Sequence, residues 1–173
     1  MPDATGLELI AADLRASLGD DAVVGTMYAH ERATIEVAPP RVRHVLAYLK
    51  TGAGEPFDHL MSVHGCDYLP EEPRLGVHYE LLSMERVERL CVKTRMTVEA
   101  ASVPTVTDIF PTANFQEREA FDFFGVVFRG HPELTRILLP EDYVGWPQRR
   151  DFPIGGEPVI FTYNEFEALG GDS

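Results

Sequence analysis

The sequence predicts an α+β fold: a single domain with a mostly antiparallel or mixed sheet, helices packed on one face, and an extended C-terminal arm. Three observations carry this. Apolar residues recur at helical spacing in two N-terminal stretches that flank a hairpin pattern; three strand-length patterns then follow with short connections. The last third is crowded with proline and glycine yet rich in aromatics. At 173 residues the chain can bury one core and not two, so the expected division is a globular domain over 1–128 and an arm over 129–173.

Leu7, Ile10, Ala11, Leu14 and Leu18 form one helical stripe that closes near Gly19. AVVGTMYA and ATIEVA then read as a hairpin around His30, Glu31 and Arg32, since Ala33, Ile35 and Val37 alternate with Thr34 and Glu36. Pro39 and Pro40 open a second helix with its stripe at Val42, Val45, Leu46 and Leu49. Three strands follow in FDHLMSVHGCDYL, LGVHYELLSM and RLCVKTRMTV, and their short links favour an antiparallel meander. After Pro104 a short helix carries EREAFDFFG, with Asn114 expected as its cap, Glu117 at its third position, and Gly125 as the left-handed residue past its end. Ala120, Phe121 and Phe124 are its expected buried face.

From Pro140 to Pro158 four prolines and three glycines exclude helix or central strand over most of the length. Tyr143, Trp146, Phe152, Phe161 and Tyr163 are spread through the same region. Side chains of that size call for grooves, on this domain or on a partner.

A net charge of −13 and the absence of a basic stripe exclude nucleic acid as the expected partner. No apolar run is long enough to cross a bilayer, and the acidic N-terminus is unlike a secretory signal. The chain is expected to stay in the cytoplasm and to meet a membrane only through something else. Cys66 and Cys91 belong to no CxxC pair and cannot by themselves hold an iron–sulfur cluster; buried thiols on strands are the expected reading.

Glu117, Glu119 and Asp122 could serve as acid/base groups or as oxygen ligands, but Arg118 sits within the same cluster and neutralises what a cation needs. An interface, in which the arginine and its flanking acids hold register against a partner, is the reading taken. His64, Cys66 and His78 offer three zinc-type donors and sustain the alternative of a small metal-dependent enzyme; the reading taken assigns no metal and no catalytic residue. GxGxxG, GxxxxGK[ST] and GxSxG are all missing. Arg149 and Arg150, before Asp151, could pair with phosphate or carboxylate.

The stretch EREAFDFFGVVFRGHPELTRILLPEDYVGWPQRRDFP resembles the signature region of the C subunit of respiratory NADH:quinone oxidoreductase, complex I. Glu117, Arg118, Glu119, Asp122 and Gly125 match its first element, His131, Pro132, Arg136, Ile137 and Leu138 its second, and Arg149, Arg150, Asp151, Phe152 and Pro153 its third. Thr135, Trp146 and Gln148 depart from the usual pattern within the arm. The resemblance implies a non-redox subunit of the proton-translocating complex's peripheral arm, on the cytoplasmic side of the cell membrane. Its implied partners are the quinone-site subunit (the D subunit of the complex) and cluster-bearing subunits; FMN and iron–sulfur clusters would lie in those partners, with no cofactor on this chain. The implied interface residues are the matched positions other than Ile137, Leu138 and Phe152. A similar subunit occurs in membrane-bound hydrogenase-type complexes, which is the second reading.

Overall fold

The computed structural model describes residues 3–54 and 56–153. Helix α1 (Ala4–Leu18) starts where Asp3 Oδ1 accepts the Gly6 N–H at 2.7 Å, buries Leu7, Ala11 and Leu14, and ends at Gly19. Strands β1 (Gly25–Ala29) and β2 (Arg32–Glu36) form the hairpin, turned by His30 and Glu31 with φ of 52° and 61°. The two prolines form a short 3₁₀ turn, Pro39–Arg41, ahead of helix α2 (Val42–Thr51), which buries Val42, Val45, Leu46 and Leu49.

Strands β3 (His59–Asp67), β4 (Leu75–Ser83) and β5 (Glu88–Met96) pair antiparallel in sequence order. The hairpin joins them through a parallel β2–β5 pairing, so the sheet is mixed with the order β1-β2-β5-β4-β3. One face is apolar: Ile35, Val92, Tyr79 and Val63 stand in a single cross-strand row, all buried. Leu60, Leu75, Val77, Leu81, Leu90 and Met96 join the same core, as do the buried stripes of α1 and α2.

A second, smaller unit carries helix α3 (Ala113–Phe124) between two short parallel strands, β6 (Ser102–Pro104) and β7 (Val127–Arg129). The helix lies on β3, where Gly65 makes room: a Cβ at that position would stand 2.4 Å from the Phe124 ring. The helix start differs from the expected one. Thr112 stands at the N-cap without a side-chain bond, and Asn114 is already inside the helix. The turn before it takes over the capping role, because the Ala113 and Asn114 N–H groups donate to Phe110 and Pro111 carbonyls. Freed from capping, Glu117 turns into the core. Gly125, with φ of 71°, ends the helix as expected.

Candidate functional site

The matched residues converge on α3 and the segment after β7. Asp122 is completely buried, and its Oδ2 accepts the N–H groups of Ile137, Leu138 and Leu139 at 3.0, 2.8 and 3.0 Å. Its Oδ1 accepts from Arg136 at 2.8 Å. Burial alone pushes this carboxyl up, but the three N–H groups and the guanidinium outweigh it and hold the group below its ordinary range. One carboxylate thus nucleates the arm.

Arg136 spreads the effect further. Its Nη1 also donates to the Asp122 carbonyl, its Nη2 donates to the carbonyls of Tyr143 and Gly145, each at 3.0 Å, and its guanidinium lies 4.7 Å from the Trp146 ring centre. Arg118, on the same helix, donates to the carbonyls of Thr135 and Arg136 and to the Thr135 hydroxyl. Arg118 and Asp122 stand one helical turn apart, yet each side chain reaches out to the arm.

Trp146 packs edge-on against Phe121 and covers Gly125, whose missing Cβ would lie 2.5 Å from the indole. Arg149 Nε donates to the Phe124 carbonyl at 2.7 Å. Arg150 donates its N–H to Asp67 and its Nη1 to the Leu69 carbonyl. Asp151 and Asp67 both grip Arg74, at 2.6 Å each, and Arg74 holds Asp67 well below the usual carboxylate range. The aromatics at Tyr143 and Phe152 stack on one another. Of the two places open to the arm's aromatics, the described part uses this domain; Phe161 and Tyr163 lie outside the described residues.

Glu117 is also completely buried, with Oε1 accepting the Val106 N–H at 2.8 Å and Oε2 bonded to the Thr105 hydroxyl. Burial raises its pKa to about 7, against the lowering pull of those two bonds. His131 lies 4.0 Å away; its Nε2 donates to the Asn114 carbonyl and its Nδ1 accepts the Glu133 N–H. Glu119, Pro132 and Pro153 are exposed. Thr105, Val106, Asp67 and Arg74 escaped the sequence reading, since nothing in local spacing ties positions 67, 74 and 151 together.

The sheet's other face is polar and open. Glu36, Lys93, His78 and His64 form one cross-strand row, and Thr34, Cys91, Glu80 and Ser62 the next. His64, Cys66 and His78 do come together, with ligand atoms within 4.8 Å of one another. Burial and nearby His64, Lys93 and Arg32 depress His78 to about 4, and burial with the neighbouring Glu80 raises Cys91 to about 12. Both cysteines are free thiols.

The family described as "Respiratory-chain NADH dehydrogenase, 30 Kd subunit" matches residues 35–158. The C subunit of the NADH-quinone oxidoreductase of Roseiflexus castenholzii is 42% identical over 156 residues, covering 90% of this chain and 89% of the relative. That of Salinispora arenicola is 44% identical over 129 residues, covering 74% and 53%. Among solved structures, a trypsin-resistant fragment (1-134) of Nqo5 superposes with a TM-score of 0.63 at 31% identity, covering 74% of this chain and 98% of that one. A chain of the membrane-bound sulfane sulfur reductase, an archaeal respiratory membrane complex, superposes with a TM-score of 0.68 at 26% identity, covering 92% and 89%. The chain with the buried Asp122 and its pinned arm belongs to the 30 Kd subunit family of the respiratory-chain NADH dehydrogenases, that of the NADH-quinone oxidoreductase C subunits.

Proposed function

We propose that this chain is a non-catalytic subunit without a redox cofactor of its own that docks on the quinone-site subunit of an NADH:quinone oxidoreductase, beside cluster-bearing neighbours on the cytoplasmic side of the membrane. Its contact with the bilayer is indirect; no helix among the described residues is long and apolar enough to cross one. In this reading its part in passing electrons from NADH to quinone is to hold its neighbours in place.

One observation supports the docking surface above others. The Asp122 and Arg136 bonds fix the arm's backbone, yet Leu138 and Val144 on that fixed backbone are 61% and 90% exposed, and Phe115 on α3 is 63% exposed. A fold that desolvates a carboxylate to order a loop, while leaving the loop's own apolar side chains in water, has built a surface for something else to cover. Ordering it beforehand lowers the entropy lost on association. Glu119, Pro132 and Pro153 add further exposed side chains from the matched positions; Arg118, Arg136, Arg149, Arg150 and Asp151 pin the arm that presents them.

The test is co-expression of the tagged chain with a quinone-site subunit, comparing wild type with Leu138→Asp and Val144→Asp. Both variants are expected to fold, because exposed substitutions shift stability by about 0.5 kcal/mol or less, and to lose most of the co-purifying partner. Undiminished recovery would remove the surface from the interface. The likeness to the sulfane sulfur reductase chain favours, more weakly, a related respiratory membrane complex as the second reading; the large protein that co-purifies separates the two.

A further inference from the structure

We propose that His78, Cys91 and Glu80 form a three-ligand site for a zinc-class divalent ion on the open face of the sheet. The strand register brings them together: Glu80 stands directly opposite Cys91 on the neighbouring strand, and His78 lies two residues along from Glu80 on the same face. Their ligand atoms lie within 4.8 Å of one another. Cys91 Sγ is 3.6 Å from His78 Nδ1. Tetrahedral zinc, with bonds of about 2.3 Å to sulfur and about 2.0 Å to nitrogen, sets those two donors about 3.5 Å apart. The sulfur and nitrogen already have the required spacing.

The surroundings fit as well. Tyr68 Oη lies 2.6 Å from His78 Nε2, so the imidazole can bind metal through Nδ1 while its other nitrogen hydrogen-bonds to a fixed partner, the usual outer-shell arrangement. Arg32 Nη2 bonds Glu80 Oε1 at 2.5 Å, which leaves Oε2 for the metal. A cavity of about 430 Å³ adjoins Cys91 and Glu80, lined also by Arg32, Ala33, Met61, Ser62 and Arg89, and leaves these two donors accessible to water. The donor set also differs from the triad that the sequence brought forward: Cys91 and Glu80 supply two negative charges, the second shared with Arg32, whereas His64, Cys66 and His78 supply one, and Lys93, opposite His78, adjoins both sets. Zn²⁺ is redox-inactive, so the site adds nothing to a redox path and stands apart from the docking proposal.

The test titrates the full chain with Zn²⁺ against a chromophoric chelator, and with Co²⁺ for its thiolate charge-transfer absorption; circular dichroism checks folding. Expected are one ion per chain, a cobalt–thiolate band lost in Cys91→Ser and kept in Cys66→Ser, and zinc binding about tenfold weaker or more in Tyr68→Phe. Should Cys91→Ser fail to fold, Glu80→Gln carries the test: it should weaken zinc binding while retaining the band. The proposal is overturned by absence of stoichiometric binding, by binding that survives Cys91→Ser, by a band that depends on Cys66, or by unchanged affinity in Glu80→Gln.

Discussion

Glu117 is the residue at which a surface reading of the acidic cluster gives way to a buried one. Its carboxyl is expected near an ordinary glutamate value when unfolded and is raised to about 7 when folded, chiefly by burial. The folded state then binds the extra proton between those values. Stability from this group is complete below about pH 4 and falls as pH rises towards 7, by about 3 kcal/mol for a shift of that size. Glu117→Gln keeps an acceptor for the Val106 N–H and removes the titration. Urea unfolding of wild type and variant at pH 5 and pH 8 should show the variant gaining at the higher pH; parallel changes in both would contradict the burial account. Asp122 titrates in the opposite sense, its stabilisation being lost as pH falls, because its folded pKa is depressed. The sequence displayed both acids but not their difference, since the partners of Glu117 lie at Thr105 and Val106, upstream on another segment. Helical spacing places a residue on a face; it does not say what faces it.

At the scale of elements, the periodic pieces were legible and the non-periodic one was not. The stripes of α1 and α2 and the alternation in β3, β4 and β5 announce themselves because each buries one face. The parallel β2–β5 pairing needed the register of distant strands, and the arm's course is set by carbonyls and a guanidinium that have no period at all. Its hub can be tested directly. Arg136→Lys keeps a charge but cannot serve Asp122, Tyr143 and Gly145 together, since an ammonium lacks the planar fork. New tryptic cleavage at Arg149 or Arg150 is expected in the variant, with the sheet domain intact; an unchanged digestion pattern would refute the hub. Gly125→Ala probes the same junction from the helix side. A side chain at φ of 71° costs about 1 kcal/mol or more, and here its Cβ would meet the indole ring. Trp146 is the sole tryptophan, so its emission should shift to the red as it leaves Phe121, while emission at the wild-type position would mean that the arm accommodates the methyl group.

At the scale of the whole molecule, two faces differ in purpose. The apolar face of the sheet is spent on α1, α2 and α3, and the described part of the arm is latched at two points, by Asp122 through Arg136 and by Asp67 with Asp151 through Arg74. Leu138 and Val144 stand outward on the latched arm among charged side chains such as Glu133, Glu141 and Asp142, an apolar pair within a polar rim of the kind that protein interfaces use. The three ordered motifs made the family legible from sequence; the self-docking of the arm was not, because the same aromatics fit a groove on a partner equally well. The most direct test is affinity recovery of the tagged full chain from its native membranes, with identification of every protein that accompanies it. The account expects the quinone-site subunit and cluster-bearing subunits of an NADH:quinone oxidoreductase in fixed proportion; recovery of the chain alone, or with none of these proteins, would contradict it.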